Sequence, residues 1–175
     1  MKWLAWMVFS MVLLLPMAAL AEGGPAWEIG ARGGMEATGS DEQYQVGELY
    51  LLRNLPWRAE TTLGSVLTRL DLSASYLEGA DDDEGFLVGV GGNLVWLPGN
   101  GPVELEVGFR PAWLSDDVYD EDDYGGALQF LSHAGVALRL DRFVIGYRYQ
   151  HMSNAGIYNE NDGLNLHLFG LGGRF

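Results

Sequence analysis

Two side chains able to pass a proton between them, His151 and Ser153, stand two residues apart near the C-terminus of this 175-residue chain. If residues 143–153 are extended, alternation places Phe143, Ile145, Tyr147, Tyr149, His151 and Ser153 on one face and Val144, Gly146, Arg148 and Gln150 on the other. Cα atoms two residues apart on a strand are separated by roughly 6.5 Å, so the imidazole reaches the hydroxyl. That is the base and nucleophile arrangement of acyl transfer. The spacing alone is equally that of two polar residues at a strand end. The chain contains no cysteine, so a covalent step has to use a hydroxyl, and no disulfide framework enters.

The strand presenting this pair belongs to a chain of similar segments. From Trp27 onward the sequence breaks into short alternating runs bounded by Gly, Pro, Asn or Asp, without a helical period. Trp27, Ile29, Ala31, Gly33 and Met35 share one face of a first strand. A second covers residues 44–52, and Asn54-Leu55-Pro56-Trp57 reads as a tight connection. A third sets Leu70, Leu72, Ala74 and Tyr76 against Arg69, Asp71, Ser73 and Ser75, and a fourth sets Phe86, Val88 and Val90 against Gly89 and Gly91. After the turn at residues 98–101, Val103, Leu105, Val107 and Phe109 oppose Glu104, Glu106 and Arg110. In a sixth, over about residues 126–140, Leu128, Phe130, Val136 and Leu138 oppose Gln129, His133 and Arg139. The His151 strand and a final one over residues 164–175 complete eight.

These segments predict an all-β fold, an eight-stranded antiparallel up-and-down transmembrane β-barrel. A soluble lipocalin-like barrel would show the same alternation. The strand length of about ten residues, the aromatics near strand ends (Trp27, Tyr76, Phe86, Trp96, Tyr149) and the terminal Phe175 favour the membrane form. Its interior is then expected to hold Arg, Glu, Gln and Gly as a polar plug. Short turns near 53–57, 97–101 and 141–142 alternate with long loops near 37–43, 78–84, 115–125 and 154–162. Periplasmic turns are short and outer loops long, so His151 and Ser153 are expected at the outer end of the seventh strand, facing lipid.

The first 21 residues read as a cleaved secretory signal peptide, with Lys2, an apolar stretch over 4–17 and the small-x-small site Ala19-Leu20-Ala21. A transmembrane helix is the alternative for that stretch. Residues 22–175 then form a single barrel domain. Removal of Lys2, the chain's one lysine, takes the net charge from −14 to −15, with 24 acids against nine arginines. That balance argues against a nucleic-acid partner. Most of the acids fall in the long loops. Asp120 to Asp123 lacks the ligand spacing of a calcium loop, and no helix follows the glycines at 89–92, so neither a metal nor a nucleotide site is expected.

The segment His151-Met152-Ser153-Asn154-Ala155-Gly156, followed by Asn161-Asp162-Gly163 and a short last strand, resembles the lipid A 3-O-deacylases (the PagL family). Their signature is His-x-Ser-Asn-Ala and then Asn-x-Gly. The resemblance is close in this C-terminal segment and architectural elsewhere. It implies an outer-membrane hydrolase without cofactor that acts on an ester-linked acyl chain of lipopolysaccharide, with Ser153 as nucleophile and His151 as base. Lipid A and outer-membrane lipids are then the partners; monomer and homodimer both stay open. Counting back from Phe175 by twos pairs His151 with Asn165, where the family's best-known form carries Glu. Asn165 can hold the imidazole tautomer but supplies no charge, so three readings follow: slow catalysis with Asn165 as orienter, a substitute acid from the loop (Asp162 or Glu160), or a barrel that keeps the motif and binds lipopolysaccharide without turnover. Asn154, Ala155 and Gly156 lie where an oxyanion hole could form, although Asn-Ala-Gly is also ordinary turn chemistry. His133 and His167 are expected to be structural, the first facing inward and the second without a partner.

Overall fold

A computed structural model describes residues 27–37, 44–79, 83–99, 101–119 and 122–175. The proposed signal segment lies outside the described residues. Eight of the described strands form the barrel: β1 (Trp27–Glu36), β2 (Gln45–Thr61), β3 (Gly64–Glu78), β4 (Glu84–Pro98), β5 (Val103–Leu114), β6 (Leu128–Leu140), β7 (Phe143–Ser153) and β8 (Leu164–Arg174). Each pairs antiparallel with its chain neighbours, and β1 pairs with β8, closing the barrel. Closure leaves no barrel edge open to further pairing.

Alternation decides what faces where. Phe169 is 65% exposed and Trp113 56%, whereas Arg110 and Asp71 are fully buried. Large apolar groups outside and charges inside are the reverse of a water-soluble barrel, and they are what a hydrocarbon surround requires. Inside, two ion-pair clusters are buried: Arg32, Arg110 and Arg148 with Glu48, Asp71 and Glu106, and Arg69 and Arg174 with Glu28 and Glu104. Arg110 reaches Asp71 at 2.9 Å and Glu48 at 3.2 Å, Arg148 reaches Glu106 at 2.8 Å, and Arg174 bridges Glu28 at 2.9 Å and Glu104 at 2.8 Å. Equal numbers of both signs let these ions be buried without an uncompensated charge. His133 is buried there, facing inward as expected.

Four features differ from the sequence-based expectation. Residues 54–57 are not a turn: β2 runs on to Thr61, and the ladder with β3 skips between Asn54 and Arg58, a bulge that accommodates Pro56, which has no N–H to donate. The tight turn falls instead at Thr62–Leu63, between Thr61 and Gly64. The lumen is also not polar throughout. Under the outer loops, Leu77, Leu87, Leu114, Leu131, Met152 and Leu164 pack with Tyr44, Tyr119 and Tyr124 into an apolar cap above the ion network. The β5–β6 loop contains a small hairpin, Val118–Tyr119 with Asp122–Asp123. Lastly, Glu78 and Glu84, expected in a loop, form the last rung of β3 and β4.

Candidate active site on the lipid-facing wall

β7 and β8 are held in a register that pairs His151 with Asn165 and Tyr149 with His167. On the other side of β7, β6 places Ser132 opposite His151 and Phe130 opposite Ser153. Inward Gln150 and Met152 are buried, so alternation turns His151, Ser153 and Asn165 outward, where each is partly exposed. His151 Nδ1–H donates to Asn165 Oδ1 at 2.9 Å. The Asn165 carbonyl in turn accepts the Ala37 amide at 2.8 Å, which ties it to β1. With the proton fixed on Nδ1, the lone pair of Nε2 is free to take a proton. Ser153 Oγ has no hydrogen-bond partner among the described residues. Phe130 beside it stacks on Phe109 at 5.6 Å, giving the hydroxyl an apolar flank.

The loop after Ser153 is built around Asn154, which is fully buried. Its Nδ2 donates to the carbonyls of Tyr124 at 2.9 Å and Glu160 at 2.6 Å, its Oδ1 accepts the Gly156 amide at 2.8 Å, and its own amide donates to Asn161 Oδ1 at 2.8 Å. The Asn154 side chain and the Gly156 N–H, both placed by sequence at an oxyanion hole, are therefore engaged in holding the loop. Ala155 stands between them with φ 56, its side chain exposed and its amide without a hydrogen-bond partner among the described residues. Among the described residues neither Asp162 nor Glu160 forms a hydrogen bond or ion pair with His151. Asp162 Oδ2 accepts the Asp123 amide at 2.8 Å, and the Asp162 amide donates to the Asp123 carbonyl at 3.1 Å.

These contacts latch the β7–β8 loop to the β5–β6 loop. Two glycines make the approach possible. A Cβ on Gly125 would lie 2.2 Å from the Glu160 carbonyl oxygen, and one on Gly126 would lie 2.5 Å from the Tyr158 ring. Gly163 has a similar place at the site itself, where a Cβ would come within 3.1 Å of His151 Cε1. The sequence carried a signal for Gly163 in its Asn-Asp-Gly motif, but not for Gly125, Gly126 or Tyr158, whose roles depend on a partner loop some 30 residues away in the chain. Burial in the cap beneath the latch pushes the phenols of Tyr44 and Tyr124 well above the ordinary tyrosine range.

The family model for lipid A 3-O-deacylase (PagL) matches residues 42–174. The crystal structure of the outer membrane enzyme PagL superposes with a TM-score of 0.73 at 21% identity, covering 83% of this chain and 97% of that one. A de novo designed transmembrane β-barrel aligns with a TM-score of 0.55 at 12% identity, over 89% of this chain and 100% of that one. The Yersinia pestis outer membrane protein Ail, in a phospholipid bilayer nanodisc, gives 0.50 at 12%, over 86% and 99%. At these identities the likeness to the solved structures is one of fold. No curated protein matches the sequence.

Proposed function

Because the chain belongs to the lipid A 3-O-deacylase family, we propose that it hydrolyses an ester-linked acyl chain of lipid A, at the 3-O position, from within the outer leaflet of the bacterial outer membrane. The observation that carries this reading is the His151–Asn165 bond of 2.9 Å, formed on the outward wall one alternate position from Ser153. A nucleophile facing lipid suits a substrate that arrives by lateral diffusion.

In the reaction, Ser153 Oγ turns about χ1 toward Nε2 of His151, which takes its proton as Oγ attacks the ester carbonyl. The developing oxyanion is met by the Ala155 N–H, the donor left uncommitted by the loop. Collapse breaks the bond to the sugar oxygen, which receives the proton from Nε2. Water, deprotonated by the same imidazole, then releases the fatty acid and restores Ser153. Asn165 holds the ring and its tautomer throughout but contributes no negative charge.

That missing charge favours a second reading, a barrel that binds lipopolysaccharide without turning it over. Mass spectrometry of lipid A from cells expressing the protein separates the two. Loss of one ester-linked chain, abolished by Ser153→Ala, is the expected result. Unaltered lipid A from cells with a folded barrel in the outer membrane leaves the non-catalytic reading.

A further inference from the structure

His167 is on the same outward wall as Asn165, two residues further along β8 and so roughly 7 Å deeper from the outer rim. Its Nδ1 lies 2.7 Å from Tyr147 Oη, and its ring stacks on Tyr147 at 5.9 Å and meets Tyr149 edge-on at 5.5 Å. The sequence-based expectation that His167 has no partner is corrected by this bond: β7 carries Tyr147 and Tyr149 on the outward face, and the ladder sets Tyr149 directly opposite His167. Around the pair the wall is apolar, with Phe169 packed on Tyr147 at 5.1 Å and Met35 of β1 opposite His167.

The bond between the two rings does not exhaust their hydrogen-bonding groups. If the Tyr147 hydroxyl donates to Nδ1, the imidazole proton is on Nε2. If Nδ1–H donates to the phenol oxygen, the phenol proton is free. In both tautomers one donor remains, and neither His167 nor Tyr147 has another hydrogen-bond partner among the described residues. The His167 ring is also not sealed inside the protein, since it is partly exposed on the outer wall. A free donor on a surface bathed in hydrocarbon is unfavourable unless a lipid oxygen meets it.

We propose that the Tyr147–His167 pair is a binding subsite for a hydrogen-bond-accepting oxygen, a hydroxyl or an ester carbonyl, carried on an acyl chain of a membrane lipid. On the deacylase reading, from which the identity of that lipid is taken, the subsite sits below the scissile ester and fixes the depth and register of the substrate's chains against the wall.

The test reads binding without turnover. Ser153→Ala protein with ¹⁵N-labelled histidine is placed in nanodiscs of dialkyl ether phosphatidylcholine, a lipid whose chains carry no hydroxyl or carbonyl. Its three histidines give separable imidazole signals. Two guests are titrated in separately: a phosphatidylcholine acylated with 3-hydroxytetradecanoate, and an ordinary diacyl phosphatidylcholine. The His167 resonances should move with the hydroxyacyl guest. Movement with the diacyl guest as well assigns the ligand as the ester carbonyl, and movement with the hydroxyacyl guest alone assigns it as the hydroxyl. Tyr147→Phe should weaken the response roughly two- to tenfold, the range of one hydrogen bond. His167→Gln, which retains a donor, should bind more tightly than His167→Leu in a competition assay. Heat-modifiable gel migration checks that each variant is folded. His167 signals that ignore both guests in a folded barrel would overturn the proposal. A wild-type protein that releases no fatty acid would overturn only the deacylase reading.

Discussion

Replacing Asn165 with Glu tests the site at its point of departure from the family's best-known form. The side chain at 165 already accepts the His151 Nδ1 proton at 2.9 Å, so a carboxylate there keeps the bond and adds a charge. When His151 becomes imidazolium, that charge lies about 4 Å from the centre of the ring. At an effective dielectric of 20 the attraction is about 4 kcal/mol. Both side chains are partly exposed, and solvent and headgroup ions screen roughly half of it. The remaining ~2 kcal/mol of transition-state stabilisation corresponds to a rate increase of about 30-fold. That is well under the roughly 10⁴ that separates Asp from Asn in the buried serine-protease triad. The assay is fatty-acid release from lipid A by purified protein in detergent, with Asn165→Glu/Ser153→Ala as the blank. An unchanged or lower rate for folded Asn165→Glu, with Asp162→Asn abolishing the wild-type activity, would refute the reasoning and make the loop acid the partner of His151.

Gly163→Ala should lower kcat roughly two- to tenfold without altering gel migration, because its methyl group would lie 3.1 Å from His151 Cε1 and the ring has to give by a few tenths of an ångström; an unaffected kcat would show that the ring tolerates the shift. Arg110→Met should destabilise the barrel by about 3–5 kcal/mol in urea titrations in lipid vesicles, since Glu48 and Asp71 are then left with buried, partly uncompensated charge; an unchanged midpoint would contradict that role. The cap has an alkaline limit. Burial raises the Tyr44 and Tyr124 phenols, so the stability they contribute is full below the unfolded tyrosine pKa of about 10 and is lost as pH rises above it. Spectroscopic titration should show these two phenols resisting ionisation until the loops open, whereas free titration of all eight tyrosines near pH 10 in the folded protein would count against it.

Much of this architecture was readable because alternation on a strand is a local property. The pairing of His151 with Asn165 follows from counting along two strands joined by one hairpin, and the ladder has that register. The extension of β2 past Pro56 was not readable in the same way. Asn-Leu-Pro-Trp carries turn residues, and only the pairing of Arg58 to Thr61 with β3 overrides that local preference. The engagement of Asn154 was hidden for a similar reason, since its side chain bonds Tyr124 across a loop 30 residues away in the chain. The apolar cap was partly legible. Leu164, Leu166 and Leu168 alternate with Asn165 and His167, and once the polar members face outward the leucines must face in.

The alternation of β1 to β8 also bears on how such a chain reaches its membrane. Export takes the unfolded polypeptide through another bilayer first, and a continuous apolar stretch of about 20 residues would be retained there as a helix. Along most of the described strands, outside the β2 bulge, lipid-facing side chains alternate with ones that face the lumen, often Arg, Glu, Ser or Gly. The hydrophobicity needed to sit in lipid is thus dispersed along the sequence and becomes a continuous belt only when the strands close. No helix among the described residues is long and apolar enough to cross a membrane. The buried arginines accordingly keep the apolar segments short while the chain is still extended.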